Sequence, residues 1–441
     1  MTNLNTNFSL RDQGFSNALG LTLLPRHRWY FVKEGFSPKL VERALEVEGI
    51  KKGQTLLEPF SGGGTVALAG AEAGLNVRAY EINPFLRFLS STKLTNASPQ
   101  AFAVLCAELE KRLMRPEVSP LEGMSTFSKG NRWNRWLFPT EVLRGFEAGR
   151  QHLAAASSGS RALAKLGLIA AAMDCCNAVP DGKCLRYRSD WASKEASMAD
   201  FLARFRVRAE AIHEDISNHP LPHSLSSVTG GDTRVLLQEM KEKFDLCVTS
   251  PPYLNSFDYS DVYRPELFLG SFVKSNKHLM DVRLNCVRSH VQASWESPKR
   301  DDFGALYKDC MVRIGERSNE LWDQRIPTMV QAYFEDMEKV LREMKRKAKP
   351  NAAIWLVVST SAYAGVEVPV DLILAEIGQR VGWYLREIGV LRYLRSSSQH
   401  VKHVEDVTRK SVPLRESVVI LDAKPKPAQR TGSIADREDL R

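Results

Sequence analysis

The chain has 441 residues, of which 43% are hydrophobic and 26% are charged, a composition typical of a folded globular protein. At about 150 residues per domain, this length predicts two or three domains with sizeable cores. The formal net charge of +9 is modest for the length and does not by itself establish a nucleic-acid partner. No apolar run approaches the ~20 residues of a membrane-spanning helix and no signal peptide follows Met1, so we expect a cytoplasmic protein without a membrane partner.

The N-terminal part of the chain predicts a capped helix. Ser37 suits the N-cap position and Pro38 the first helical position, ahead of an amphipathic stretch that runs through Leu45. The residues before it are polar, so we expect the first 25 residues to be flexible.

A glycine-rich turn follows the apolar run Thr55–Leu57. It begins at Glu58, contains Gly62 and Gly64, and leads into a helix-like stretch that begins at Val66. Glycines let a backbone pass close to a ligand, and the start of a helix points N–H groups at it. Neither the lysine of the ATP-binding loop nor the G-x-G-x-x-G pattern of dinucleotide folds is present. An acid beside glycines suits a cationic ligand, such as the amino group of S-adenosylmethionine.

Two further acids lie near the ends of predicted strands. The strand that starts at Asn76 ends in Glu81, and in a doubly wound sheet an acid there reaches the ribose hydroxyls of a nucleoside. We therefore predict that Glu81 binds ribose and that Ile82 packs against adenine. Asp232 lies in a Gly-Asp turn, before the strand that ends at Thr249.

That strand delivers Ser250, Pro251, Pro252 and Tyr253 to its carboxyl end. Each proline fixes its own φ at about −65° and lacks an N–H, so the turn is stiff. The Ser250 hydroxyl and the Pro251 carbonyl can then accept hydrogen bonds from an exocyclic NH2 group. Tyr253 offers a face on which a base drawn out of its helix can stack.

These segments resemble, in residues and in order, the motifs of the S-adenosylmethionine-dependent DNA amino-methyltransferases. The turn from Ser250 resembles the family's motif IV, the glycine loop motif I, Glu81 motif II, Asp232 motif III and the segment Gly35–Leu40 motif X. In that family the motif IV turn is catalytic, so the resemblance implies the catalytic residues Ser250, Pro251, Pro252 and Tyr253. The cofactor-binding residues that it implies are Phe36, Ser37, Glu58, Pro59, Phe60, Gly62, Gly64, Thr65, Glu81, Ile82, Asp232 and Thr249.

The resemblance also implies the fold and the partners. The fold is an α/β Rossmann-like class I methyltransferase sheet, and the cofactor is S-adenosyl-L-methionine. The implied partners are double-stranded DNA, at the nucleoid, and a cognate restriction endonuclease or a defence-system protein. No metal is needed for this chemistry, and the seven cysteines, none of them spaced as C-x-x-C, are expected to be reduced thiols.

The resemblance leaves the target base to be decided. Serine before Pro-Pro-Tyr is commoner in members that methylate the N4 amine of cytosine, so we predict cytosine, with the N6 amine of adenine and an RNA amine as alternatives. Methylation at a ring carbon requires a thiolate, typically from a Pro-Cys turn, and the sequence has none. A catalytically inactive subunit that binds S-adenosylmethionine and recognises DNA is the alternative from a different class of protein.

Two largely helical insertions are predicted to interrupt the sheet. The core is predicted to consist of 26–96, 227–257 and 331–423. The insertion 97–226 is the predicted target-recognition region, the insertion 258–330 is predicted to lie near the active site, and the tail 424–441 is expected to be disordered. Late core elements are the strand Ala353–Ser359, the helix Val368–Val381, and an antiparallel pair from Trp383–Leu394 and Ser417–Leu421.

Cations alternate with aromatic residues at three places, a pattern that can bind phosphates and stack bases. These places are Arg132–Trp136, Lys183–Arg188 and Arg392–Arg395. The residues predicted to contact nucleic acid are Arg186, Arg188, Arg264, Arg288 and His290.

Overall fold

A computed structural model describes residues 4–8, 18–155, 158–181, 184–394 and 414–426. Its strands are β1 (Leu4–Asn5), β2 (Thr55–Glu58), β3 (Asn76–Glu81), β4 (Ala178–Asp181), β5 (Cys184–Tyr187), β6 (Ser227–Gly230), β7 (Phe244–Thr249), β8 (Ala348–Ser359), β9 (Ser361–Tyr363), β10 (Val366–Val368), β11 (Tyr384–Leu394) and β12 (Leu414–Asp422). Its α-helices are α1 (Pro38–Val47), α2 (Thr65–Glu72), α3 (Pro84–Lys93), α4 (Pro99–Leu113), α5 (Thr140–His152), α6 (Ser158–Asp174), α7 (Met198–Asn218), α8 (Thr233–Glu239), α9 (Tyr259–Val262), α10 (Arg264–Leu269), α11 (Asn276–Leu284), α12 (Ala305–Glu316), α13 (Ile326–Lys347) and α14 (Val370–Arg380). None of the helices in these ranges is long and apolar enough to cross a bilayer.

Eight strands form one sheet in the order β1-β11-β12-β8-β7-β2-β3-β6. The pairs from β8 through β7, β2 and β3 to β6 are parallel, whereas β12 runs antiparallel to both β8 and β11. The strand order reverses beside β2, which is the switch point at which doubly wound sheets bind ligands. The predicted α/β Rossmann-like fold and its antiparallel closing pair are confirmed.

Alternating side chains of the central strands build two apolar layers. Leu56 packs with α1 and α2 on one face, whereas its neighbour Leu57 packs with α13 and α14 on the other. Successive residues of a strand point to opposite faces, so a strand covered on both sides is apolar throughout. The predicted cap of α1 is confirmed, since the Ser37 hydroxyl accepts a hydrogen bond from the Lys39 amide at 3.3 Å.

The N-terminus departs from the predicted flexible segment. β1 pairs in parallel with β11, with Leu4 opposite Ile388, and the Phe8 ring packs edge-on against Trp355 at 6.1 Å. The free edge of β11 offers backbone N–H and C=O groups to β1. Such backbone pairing does not require apolar side chains, so the polar sequence showed no sign of a strand. Other parts of the two predicted flexible ends are also ordered, since Leu21 is buried in the 3-10 helix Leu19–Leu23 and Lys426 pairs with Asp422 at 3.2 Å. Residues 1–3, 9–17 and 427–441 lie outside the described residues.

The two insertions share one apolar core. Helices α4 to α7 pack with α9 and α10, and the Phe268 ring lies 5.3 Å from that of Phe127. The Lys165 ammonium donates to the Gly270 carbonyl at 2.7 Å. Helix α12 belongs instead to the core of α13 and α14, where Tyr307 packs edge-on against Phe334. The early part of the second insertion is therefore fastened to the first insertion.

Candidate active site

The predicted motifs meet at one edge of the sheet. β2 lies between β3 and β7, and all three strands run parallel. Their carboxyl ends therefore lie side by side, and the glycine loop after β2, Glu81 at the end of β3 and Ser250 after β7 come together. Asp232 follows β6, the next strand along.

The glycine loop has two residues in left-handed backbone conformations. Gly62 has a φ of 49° and Gly64 a φ of 78°, where other residues are strained. A side chain on Gly64 would place its Cβ 2.5 Å from the Ser90 hydroxyl oxygen, whereas a Cβ on Gly62 would meet no atom within 4 Å. Gly64 is therefore required for packing beneath the loop, and the Gly62 side is open to a ligand. Thr65 is buried where α2 begins.

Glu58 faces inward rather than toward that open side. Its Oε2 accepts hydrogen bonds from the Ser61 hydroxyl at 3.2 Å and from the Ala67 amide at 3.0 Å. Burial raises the pKa of Glu58 well above its ordinary value, and these two hydrogen bonds oppose the rise. The carboxylate thus connects the loop to the first turn of α2. The predicted contact with a cationic ligand remains a prediction.

Glu81 is held at the opposite side of the loop. Its Oε2 accepts from the Gly62 amide at 2.7 Å, and its Oε1 accepts from the Asn83 amide at 2.8 Å. Burial raises the pKa of Glu81 to about 7, and both hydrogen bonds counteract that effect. Glu81 therefore lies at the end of β3 and contacts Gly62, on the open side of the loop, a position that suits the predicted binding of ribose.

Lys93 is a residue of this site that the sequence analysis missed. Its ammonium donates to the Gly63 carbonyl at 2.7 Å, from a side chain that is almost fully buried. Burial lowers the pKa of Lys93 to about 7, although the nearby Glu58 favours the charged form. A lysine in the last turn of a helix commonly serves only the helix dipole, so its position in α3 carried no signal.

The motif X segment and the residues just before it lie over the same loop. A Cβ on Gly63 would come within 3.0 Å of the Val32 Cβ, and one on Gly35 would lie 3.6 Å from the Thr65 hydroxyl. Phe36 is buried in the apolar layer of α1 and α2. The cofactor contacts predicted for Phe36 and Ser37 thus involve a segment that lies against the glycine loop.

Three other predicted residues, Pro59, Phe60 and Ile82, lie in the loop or beside it. The Pro59 carbonyl accepts a short hydrogen bond from the Thr233 hydroxyl, which fastens the loop to α8. Phe60 is half-buried against the apolar layer of α13 and α14. Ile82 is half-buried beside Glu81, where it can contact a flat ring.

The turn after β7 is braced by residues of β12 and β11, which lie beyond β8 in the sheet. The Tyr253 hydroxyl donates to Glu416 Oε1 at 2.7 Å, and Glu416 Oε2 lies 2.9 Å from the Arg392 guanidinium. Burial and Glu416 raise the pKa of Tyr253 well above its ordinary value, while a hydrogen bond with Ser250 opposes the rise. The ring therefore has a fixed orientation. Glu416 was missed because it lies on β12, far along the chain.

Asp232 already has a partner. Its Oδ1 accepts from the Arg234 amide at 2.8 Å as the N-cap of α8, and its Oδ2 lies 2.8 Å from the Arg234 guanidinium. Arg234 also contacts Asp336 at 2.8 Å. The predicted contact of Asp232 with the cofactor requires the carboxylate to share its oxygens with Arg234.

Three predicted nucleic-acid residues lie on the first insertion or against it. Arg186 is 70% exposed and pairs with Asp181 at 3.0 Å, and Arg188 is exposed while donating to the Cys176 carbonyl. Arg264 lies over the Phe127 ring, with 5.3 Å between the guanidinium carbon and the ring centroid.

The other two predicted nucleic-acid residues are interior. Arg288 is 7% exposed, and its guanidinium contacts Glu335 at 2.6 Å and Asp336 at 2.7 Å. His290 is buried against Trp295, and burial lowers its pKa to about 4. A buried arginine needs carboxylate partners, and the Arg288 guanidinium has two of them in Glu335 and Asp336. The structure therefore does not place either residue to reach a phosphate.

The sheet and the site at its edge define an α/β protein of the class I methyltransferase type. No protein-family model matches the chain. The chain is 25% identical over 450 residues to the Type II methyltransferase M.BsoBI of Geobacillus stearothermophilus, covering 88% of this chain and 85% of the relative. It is 24% identical over 428 residues to the Type II methyltransferase M.AvaI of a Nostoc species, covering 88% and 86%.

Among solved structures, the rRNA methyltransferase aviRa of Streptomyces viridochromogenes matches with 11% identity and a TM-score of 0.29, covering 88% of this chain and 86% of that protein. So low a score adds nothing to the fold, which rests on the strand order. The similarity to these Type II methyltransferases extends over most of both chains. The resemblance to methyltransferases that the motifs predicted is confirmed.

Proposed function

We propose that this protein transfers a methyl group from S-adenosylmethionine to the N4 amine of cytosine at a specific site in double-stranded DNA, within a restriction–modification or phage-defence system. The observation that carries the proposal is the meeting of the Ser250–Tyr253 turn with the glycine loop at the switch point of the sheet. The Type II methyltransferases to which the chain is similar support DNA as the substrate.

The cofactor is S-adenosylmethionine, and the residues at the sheet edge fit it. Gly62 leaves open space beside the Glu81 carboxylate, which can accept hydrogen bonds from ribose hydroxyls. Among the described residues, the Asn83 side-chain nitrogen and the Thr249 hydroxyl are buried without a partner, at the ends of β3 and β7. Buried polar groups of this kind normally have a partner, which a bound ligand can supply. When bound, S-adenosylmethionine would supply an electrophilic methyl group: the N–C bond forms as the S–C bond breaks, S-adenosylhomocysteine leaves, and the nitrogen releases one proton to solvent.

The chain's own residues act on the amine of the target base. The lone pair of that nitrogen is conjugated with the ring, which makes it a poor nucleophile. Acceptance of its hydrogens by the Ser250 hydroxyl and the Pro251 carbonyl favours a pyramidal nitrogen with a directed lone pair. Tyr253, held by Glu416, supplies the face that stabilises the extruded base, whose extrusion costs a few kcal/mol. Catalysis is then mainly positioning and electrostatic stabilisation.

Nucleoside mass spectrometry tests the proposal. DNA from cells that express the protein should contain 4-methylcytosine, and DNA from cells that express Ser250→Ala should not. A 6-methyladenine signal confined to the wild type would keep the reaction class and contradict the base assignment. Absence of both marks, with purified protein inactive on DNA, would contradict the proposed function, and methylated RNA would redirect it to an RNA substrate.

Cofactor binding should depend on pH through Glu81. The pKa of about 7 means that the free protein loses most of its Glu81 carboxylate below neutrality. Only the ionised form accepts hydrogen bonds from both ribose hydroxyls. We expect the affinity for S-adenosylmethionine to fall about tenfold from one pH unit above that value to one unit below it. Isothermal titration calorimetry at the two pH values measures the change.

The control is Glu81→Gln, which cannot ionise and should bind weakly with a flat pH profile. An unchanged pH dependence in this variant would show that a different group titrates. A thermal shift with S-adenosylmethionine but not with NAD is expected in the wild type at the higher pH.

A further inference from the structure

Two cationic–aromatic segments that are distant in sequence form one surface on the first insertion. Trp136 packs edge-on against Trp191 at 4.7 Å, and Tyr187 lies 5.2 Å from the same ring. The loop before α5 and the β4–β5 hairpin are thereby joined. We name this surface the hairpin face and define it by Arg132, Trp133, Arg135, Tyr187, Arg188 and Trp191.

The hairpin face has an excess of unpaired positive charge. Within the described residues, neither Arg132 nor Arg135 has a carboxylate partner, and Arg188 donates only to the Cys176 carbonyl. The carboxylates nearby are engaged, Glu195 by Lys129 at 2.7 Å and Asp181 by Arg186. Exposed guanidinium groups without carboxylates fit phosphates, which they can bind with two parallel hydrogen bonds.

The loop that carries Trp133 is held rigid. The buried Asn131 side chain donates to the Ser128 carbonyl at 2.8 Å and to the Arg135 carbonyl at 2.6 Å. Its oxygen accepts from the Trp133 amide at 2.9 Å. Trp133 is nevertheless 49% exposed, with the Arg132 guanidinium 4.2 Å from its ring centroid. A rigid, exposed ring is a ready stacking surface, because little entropy is lost when a partner binds.

The part of the hairpin face between Arg135 and Trp191 is concave, and the hairpin lies close to the Ser250–Tyr253 turn. A groove of about 440 Å³ runs along the hairpin between Arg135, Leu185 and Trp191. β5 contacts α9, which begins at Tyr259, and the Tyr259 hydroxyl is hydrogen-bonded by the Tyr253 backbone.

We propose that the hairpin face binds duplex DNA beside the active site, with Arg132, Arg135 and Arg188 on phosphates and Trp133 stacked on a base or sugar. This inference rests on the proposed function, because DNA as the partner follows from it. Phosphate contacts of this kind set the register of a protein on the duplex, so the face orients the target base toward Tyr253.

Salt-dependent DNA binding tests the surface. The plot of log affinity against log salt has a negative slope, and each lost phosphate contact makes it less steep by about 0.9. On a mixed-sequence duplex, the triple variant Arg132→Ala/Arg135→Ala/Arg188→Ala should therefore have a slope about 2 to 3 units less steep than the wild type. Trp133→Ala should weaken binding about tenfold or more, and Trp133→Phe should retain most of the affinity. The matched control is Arg313→Ala/Arg346→Ala, two exposed arginines on α12 and α13, which should leave the slope unchanged.

Methyl transfer by the same proteins separates this inference from the proposed function. If the hairpin-face variants bind DNA more weakly than the wild type but the wild type never methylates DNA, the proposed function is contradicted. The proposal that the hairpin face binds DNA then stands. A triple variant with wild-type slope, together with Trp133→Ala at wild-type affinity, would overturn the surface. Preference of the wild type for duplex RNA over DNA would overturn it as well.

Discussion

Replacing Ser250 with alanine should lower the rate of methyl transfer by about 10²- to 10³-fold, the usual cost of removing one group that stabilises developing charge. On the proposed mechanism, the variant loses the hydroxyl that accepts from the target amine, and the Pro251 carbonyl remains as the acceptor. Because the two prolines set the backbone of the turn, the fold and the cofactor site should be unaffected. Single-turnover rates at saturating DNA measure the chemical step without the binding step.

Two further variants calibrate this result. Ser217→Ala removes an exposed hydroxyl on α7 that donates to the His213 carbonyl, and it should leave the rate unchanged. Tyr253→Phe keeps the stacking ring and loses the hydrogen bonds of the hydroxyl with Glu416 and Ser250, so its loss of rate should be smaller than that of Ser250→Ala. A Ser250→Ala protein with the wild-type rate would remove Ser250 from the mechanism.

Replacing Gly64 with alanine should abolish cofactor binding and destabilise the protein. The new Cβ would lie 2.5 Å from the Ser90 hydroxyl oxygen and 3.0 Å from the Ser90 Cα, and the backbone would keep an unfavourable φ of 78°. Left-handed backbone strain costs about 1–2 kcal/mol and overpacking about 1–3 kcal/mol more. We expect the free energy of unfolding to fall by about 2–5 kcal/mol, measured by urea denaturation.

Gly62→Ala separates strain from collision. Its φ of 49° is also left-handed, but the added Cβ meets no atom within 4 Å. We expect a loss of only about 1–2 kcal/mol in the free energy of unfolding, from backbone strain alone. Cofactor affinity should still fall, because the methyl group enters the open side of the loop. Equal destabilisation by the two substitutions would contradict the packing role of Gly64.

The sequence by itself determined the strand ends, the turns and the order of the motifs. Apolar runs followed by Gly, Pro or an acid are local patterns, and parallel strands bring their carboxyl ends together without further information. The Ser37 cap, the closing antiparallel pair and the resemblance to methyltransferases were predictable for the same reason. Each depends on neighbours within a few residues or on a general rule of sheet topology.

The tertiary structure alone decided which charged residues face a ligand and which are interior. Arg288 was predicted to contact a phosphate, but in the folded chain it is buried and binds Asp336, 48 residues away in sequence. Lys93 and Glu416 acquired their roles from the loop and the turn that the folded chain brings to them.

The hairpin face shows the same limit on a larger scale. Two patches that resemble ordinary solvated segments become one surface only when Trp136 meets Trp191. Local sequence patterns specify which residues can form an element, whereas contacts between distant segments depend on how the elements pack, which no short pattern records.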